Sequence, residues 1–528
     1  MTLSRKTGFA EVLMIVFSVI WILILGIDYL NKHPWYGITI EYFKYGKMVT
    51  LFSLGALSLS LLYQFVGASR KLLLTGSAFF LFILICLIML AVSFSPHSLA
   101  KSLNTTGLYN YMMMVLRSFG YLVALSVSAY LYGSLFRSSY LDHPIVKIAF
   151  GTVVLCMLFF VLSALWLLTP IAVGIVLVLP VILGIKQVLP ALRGITVKGW
   201  SIDGLNGAGF FCLLVLIAYV TLNFAYTQSP FPVGFDSRNF YMNIAHQVAD
   251  SNGLVFGYRP YNWELLIATG YTFFDTSPVA LSVSFYGYIL TLFAMFYFGV
   301  KTLKLNPNMV LFCMLLFTAA PAMTNQLFIE LKTDFGLLFI QLITLSIFLN
   351  VCKDVMSSTK VDKSFRQRIL PFALLGILVG FGLGIKMTNM FLLFALIISL
   401  FWMLTDHIIA TFGVILLTMA LFILVRLDDL SGVRAYHLDL NTVFLAAFTI
   451  GAGLLVWAFI KQRAQVMKGV RLVTVMGVFS VLTLSPWLIK NFNETQSIHP
   501  KTLLNGAPIG PGVDMSTLQQ NYLKSLGQ

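Results

Sequence analysis

Apolar stretches of roughly 17–25 residues recur along the chain, separated by short polar or charged connections. That is the length at which an α-helix crosses a hydrocarbon core of about 30 Å. Backbone polar groups find no water there and must hydrogen-bond within their own segment, so each stretch is expected to be helical. The pattern places spans at about 9–27, 48–68, 73–94, 111–134, 146–168, 171–185, 207–227, 279–300, 309–326, 335–351, 370–385, 389–405, 408–425, 441–460 and 472–489. The expected architecture is an all-α polytopic integral membrane protein with about 15 transmembrane helices. The first stretch follows Arg5 and Lys6 as a signal peptide would, but no small-residue cleavage site comes after it, so it is expected to remain as an anchor.

Where polar positions interrupt this rhythm, the chain becomes informative. The connection from Thr227 to about Pro278 is far longer than any other, and the expected external loop covers 228–278. Inside it Tyr241, Ile244, Ala245 and Val248 recur at helical spacing, which predicts an amphipathic helix lying on the membrane surface. Asp236 sits at its start, either as an N-cap or as a carboxylate held just above the bilayer. Leu265–Phe274 is apolar but too short to span, and the aromatic residues before it suit an interfacial anchor. The stretch around Lys186–Asp203 divides six leading helices (1–206) from a second membrane module (207–490), followed by a short external tail (491–528).

Composition then narrows the class. Of 528 residues, 59% are hydrophobic and 10% charged, against a usual charged share of about a quarter. The formal charge of +15 is scattered over short loops rather than gathered in one domain, which argues against a nucleic-acid partner and for a basic rim facing anionic membrane lipid. With the N-terminus inside, alternate threading puts about 20 of the 34 Lys and Arg in cytoplasmic loops, as the positive-inside rule requires. The long loop and the C-terminus then face outward. Cys86, Cys156, Cys212, Cys313 and Cys352 show no metal-like spacing, so neither a disulfide nor a zinc site is expected.

On the outer side, carboxylates and cations converge. Glu330 and Asp334 are four apart and would share a helix face, where they could orient an acceptor or hold a divalent cation such as Mg or Mn through oxygen ligands. Arg259 suits a phosphate through two parallel hydrogen bonds, and Lys332 and Lys386 are further phosphate-binding candidates. Arg238, His246, Arg434 and His437 are possible additional contacts, with Arg426 nearby. The Pro486-Trp487-Leu488-Ile489-Lys490-Asn491 ending suggests no chemistry from physics alone. No Gly-rich phosphate loop, nucleophile elbow or His/Cys metal motif is present.

Residues 207–500 resemble the GT-C superfamily of membrane glycosyltransferases, which use polyprenyl-phosphate-linked sugars. The similar elements are Gly234-Phe235-Asp236-Ser237-Arg238-Asn239-Phe240-Tyr241, Glu330-Leu331-Lys332-Thr333-Asp334, Gly384-Ile385-Lys386-Met387-Thr388 and Pro486 to Asn491. The resemblance implies a GT-C-like fold, with Asp236 as counterpart of the catalytic base. It implies inverting transfer from a polyprenyl-phosphate sugar to a cell-envelope glycan, lipid or protein, at the periplasmic face of a bacterial inner membrane. The chain departs from many members in lacking a second acid beside Asp236, in its six leading helices, and in an expected short external tail where many members carry a soluble domain. Two other readings remain open: a transporter or flippase of a lipid-linked or anionic solute, and a polymerase or ligase of lipid-linked glycans.

Overall fold

The computed structural model describes residues 58, 61, 72–74, 105–136, 138–184, 200–202, 204–228, 234, 236–320, 323, 326–357, 365–405, 408–425, 440–498 and 500–505. Span 9–27, Cys86, Arg426, Arg434, His437 and the tail beyond Asn505 lie outside the described residues, as does nearly all of 48–68 and 73–94. The described chain is almost wholly helical. Each of the twelve apolar stretches expected from residue 111 onward carries a helix, and seven of these helices are long and apolar enough to cross a membrane. One small exception is an antiparallel pairing of Leu72–Leu74 with Trp200–Ile202, so Leu73 and Leu74 lie in a strand rather than opening a span.

Local chemistry sets the helix starts. Pro144 opens the Pro144–Ala164 helix, with the His143 side chain accepting from the Ile145 N–H, and Asn306 caps Pro307–Ala319 by accepting from the Asn308 N–H. Proline in the first turn forfeits an N–H that has no helical partner anyway. Pro486, inside the Arg463–Thr495 helix, cannot donate to the carbonyl four residues before it. The Ser485 hydroxyl supplies a bond to that Leu482 oxygen at 2.8 Å, which keeps the helix running to Thr495. The expected span 472–489 is therefore extended at both ends.

The chain divides into two compact units. The first contains residues 1–123, 181–240 and 276–332. Its buried polar centre is Gln228, which accepts from the Ser118 hydroxyl at 3.0 Å and donates to the Ser282 hydroxyl at 3.0 Å. Asn308 secures the start of Gly207–Tyr226, donating to the Gly204 carbonyl and accepting from the Asn206 N–H. The Gln228 bonds satisfy groups that would be costly to leave unmet in an apolar interior.

The second unit contains residues 124–180, 241–275 and 333–528. Its most extensive helix pairing among the described residues joins Phe365–Ile385 to Arg463–Thr495. A Cβ at Gly376 or Gly380 would run into the Met476 or Ser480 carbonyl oxygen, and the Ser480 hydroxyl donates to the Gly376 carbonyl at 3.0 Å. Small residues allow two backbones to approach this closely, as helices in lipid require. By contrast Leu445, Ile450, Val456 and Ile460 on Leu440–Lys461 are exposed. An apolar helix face left outward suits hydrocarbon rather than water.

The Asn262–Phe274 helix is not the interfacial anchor its short apolar run suggests. Every residue from Asn262 to Tyr271 is buried, Trp263 and Leu265 completely. Asn262 explains the placement: its amide donates to the Phe381 carbonyl at 3.0 Å, its side-chain oxygen accepts from the Trp487 indole at 2.7 Å, and its backbone carbonyl accepts from the Cys156 thiol. One residue thus ties three parts of the chain to the start of this helix. A Cβ at Gly384 would strike that same amide.

Candidate functional site

In the first unit, Asp236 begins a turn of π-type geometry, Ser237–Tyr241, that leads into the Met242–Ser251 helix. Its carboxylate forms an ion pair with Lys332, and its backbone N–H donates to the Glu330 carboxylate at 3.2 Å. Lys332 is held in turn by the preceding residue, since the Leu331 carbonyl accepts from the buried Ser284 hydroxyl at 2.6 Å. The segments bearing Asp236 and Glu330-Leu331-Lys332 thus meet, although 94 residues separate Asp236 from Glu330. Asp236 remains partly open to solvent, as a carboxylate must be to reach a substrate.

The expectation that Glu330 and Asp334 share a helix face is overturned. Glu330 ends the π-type turn Gln326–Glu330, Leu331 takes a left-handed φ of +33°, and a new helix starts only at Asp334. The two carboxylates consequently have separate partners: Glu330 takes the Asp236 N–H, and Asp334 pairs with Lys386 at 2.6 Å. They do not build a divalent-cation site together. Among the described residues no three His, Cys, Asp or Glu side chains gather, and Asp236 and Asp334 each carry an ammonium instead.

The second unit holds a separate cluster. Arg259 has the Tyr258 ring centroid 5.8 Å from its guanidinium carbon, and Tyr241 is near enough to act on its charge. Burial opposes the Arg259 charge, and the neighbouring Tyr258, Glu264 and Tyr241 oxygens more than offset it. Burial also pushes the Tyr258 phenol up to about 12, so it remains a hydroxyl at any physiological pH.

Glu264, not among the expected site residues, is the most enclosed carboxylate of this cluster. It is 1% exposed, and its Oε2 has no hydrogen-bond partner. Burial raises its carboxyl to about 7 despite the counteracting charges of Arg259 and Lys386. A group with that value changes charge near neutrality.

Lys490 and Glu494, also passed over, fix the approach to Arg259. Their ion pair measures 2.8 Å and is almost fully enclosed. Glu494 accepts from the Gly257 N–H at 3.0 Å, and Lys490 donates to the Tyr258 carbonyl at 3.4 Å. Gly257 stands at φ +70°, a conformation that favours glycine. The loop carrying Tyr258 and Arg259 is thereby clamped on both sides.

Among the described residues, the two remaining candidates are on exposed positions. Arg238 is exposed. His246 pairs with Asp250 at 2.8 Å on the exposed face of Met242–Ser251 and sits edge-on to Tyr271. That helix is amphipathic as expected, with Met242, Ile244, Ala245 and Val248 buried.

Compared with protein-family models, with curated sequences and with solved structures, the chain gives no match.

Proposed function

We propose that this protein is a GT-C-like membrane glycosyltransferase that moves a sugar from a polyprenyl-phosphate donor to a cell-envelope glycan, lipid or protein, with about 15 spans and its reaction on the periplasmic face. The observation that carries the reading is the meeting of Asp236 with Lys332 and Glu330, two short polar segments that the resemblance expects to act together. In the proposed reaction the Asp236 carboxylate takes the proton of the acceptor hydroxyl. The acceptor oxygen bonds to the anomeric carbon as the bond to the lipid phosphate breaks, inverting that centre. Negative charge grows on the departing phosphate, and a preorganised cation there lowers the barrier.

Within the second unit Arg259 is the preferred phosphate-binding cation, because Lys386 there is already engaged by a carboxylate. Lys332 instead aims the Asp236 carboxylate, and Glu330 fixes the backbone from which Asp236 projects. Lys386, with Asp334, contributes to the field around Glu264.

The test is transfer from synthetic polyprenyl-phosphate sugars to extracted envelope glycolipid by the parent protein and by Asp236→Asn, both checked for folding. Transfer by the parent and a loss of several orders of magnitude in the variant is the expected result. Equal transfer by both removes Asp236 as the base. No transfer with any donor sinks the enzyme reading and turns attention to transport of a lipid-linked or anionic solute.

A further inference from the structure

The second unit carries one unmatched feature: a sealed carboxyl oxygen without a partner beside a mostly buried guanidinium. Glu264 is the third residue of the Asn262–Phe274 helix, and its carboxylate interacts with its own backbone N–H while Oε2 stays free. Arg259 lies five residues earlier, on the loop that the Lys490–Glu494 pair clamps through Gly257 and Tyr258. The other charged or titratable groups that act on Glu264 or feel its charge are Lys386, Asp334, Tyr241, Tyr258 and the Cys156 thiol.

The charges can be counted. Lys386 and Asp334 pair with each other, and the phenols and the thiol are neutral. What remains is Arg259 against Glu264. When Glu264 is ionised the site is neutral, and an arriving anion meets a carboxylate inside a low-dielectric region where repulsion is poorly screened. When Glu264 is protonated the Arg259 charge is uncompensated by it. The two states differ by one positive charge, in favour of an anion.

We propose that binding of a phosphate diester at Arg259 is coupled to uptake of one proton by Glu264, so that this carboxyl works as a proton-linked control on donor binding. The proposal rests on the reading of Arg259 as the phosphate-binding cation. Glu264 takes its proton from solvent as the ligand arrives, and releases it when the ligand leaves. Linkage requires the converse as well, with bound anion strengthening the hold of Glu264 on its proton. The ordinary value of the carboxyl, shifted by burial to about 7, puts the response within the physiological range.

The experiment is calorimetric titration of the detergent-solubilised full chain with a synthetic polyprenyl-phosphate monosaccharide, a diester that does not itself titrate near neutrality. It is run from pH 6 to 8.5 in two buffers of different ionisation heat, with dibutyl phosphate in parallel as a headgroup-only probe. The expected parent protein takes up most of a proton near pH 8, and its affinity falls towards tenfold per pH unit above about pH 7.5. Glu264→Gln is expected to bind without proton uptake and with affinity flat across the range. Binding of the lipid-linked probe alone assigns the site to a lipid headgroup, whereas binding of both assigns it to phosphate diesters generally.

A parent affinity flat with pH, or a slope that persists in Glu264→Gln, overturns the coupling and leaves Arg259 in place. If the variant does not fold, the parent proton count still decides, and zero uptake at pH 8 is fatal. Undiminished binding in Arg259→Met, or no binding of either probe by the parent, overturns the parent reading of Arg259 too.

Discussion

The Trp487 indole N–H donates a 2.7 Å hydrogen bond to the side-chain oxygen of Asn262, across 225 residues of chain, and both side chains are sealed from solvent. Trp487 also packs edge-on against Phe160 and at 4.4 Å between ring centroids against Tyr261. Trp487→Phe keeps much of that ring contact but deletes the donor, leaving the Asn262 oxygen unmet at a cost of about 1–3 kcal/mol. Asn262→Leu leaves both the Trp487 N–H and the Phe381 carbonyl without their bonds, and is expected to lower the melting temperature further. Thermal unfolding in detergent measures both, and a larger loss from Trp487→Phe contradicts this ordering.

The enclosed Lys490–Glu494 pair predicts a non-additive pattern. Removing one partner, as in Lys490→Met, leaves a carboxylate enclosed without its cation and costs on the order of 3–5 kcal/mol. The double variant Lys490→Met/Glu494→Met removes both charges and is expected to be more stable than Lys490→Met alone. Additive losses in a double-mutant cycle contradict the pairing.

Glu264 gives a stability signature as well as a binding one. Its native value of about 7 stands above the ordinary 4.5, so the native state holds the proton more tightly. The associated stability is complete below about pH 4.5, declines as pH rises, and is gone once pH passes through about 7. At about 1.4 kcal/mol per unit, the swing is on the order of 3 kcal/mol. Relative to Glu264→Gln, the parent is expected to lose melting temperature between pH 5 and 7.5 and to level off above. A constant difference across that range argues against the burial of an ionisable carboxyl.

Asp236→Asn is expected to separate stability from activity. The Asp236–Lys332 pair is partly exposed, where such pairs contribute under about 1 kcal/mol. A melting temperature within a few degrees of the parent should therefore accompany the large loss of transfer, and a collapse in stability contradicts the assignment.

Two glycines predict opposite signs for one substitution. Alanine is the better helix former by about 1 kcal/mol, and Gly477 has open space where a Cβ would sit, so Gly477→Ala is expected to stabilise. Gly380→Ala drives the methyl into the Ser480 backbone and is expected to abolish or sharply reduce the folded yield. Size-exclusion profiles and melting curves of the two variants make the comparison.

Much of this architecture was legible because length and apolarity act locally. A run such as Pro144–Ala164 can only be a helix in hydrocarbon. The Arg463–Thr495 helix began earlier than its apolar run because Val466 and Leu472 are buried on one face while charged residues line the rest. Leu265–Phe274 misled because an apolar side chain can be covered by lipid or by protein, and the sequence does not say which. The shared face of Glu330 and Asp334 failed on a single backbone angle, at Leu331. In the site, Asp236, Lys332, Arg259 and Lys386 stood out as charges at span ends. Glu264 and Lys490 were missed because their significance is burial, which depends on residues more than 100 positions away; the one available signal was a charge inside an otherwise apolar stretch.

The separation between Asn262 and Trp487 has a consequence for the making of the protein. Translation delivers the Asn262–Phe274 helix long before the Arg463–Thr495 helix exists. Until then the Asn262 side chain lacks its indole partner, and the glycine face of Phe365–Ile385 has nothing to close against. The Arg463–Thr495 helix is therefore the keystone of the second unit. A nascent chain stopped just short of it would hold every candidate residue from Asp236 to Lys386, yet lack the piece that locks Asn262 and Arg259 in position.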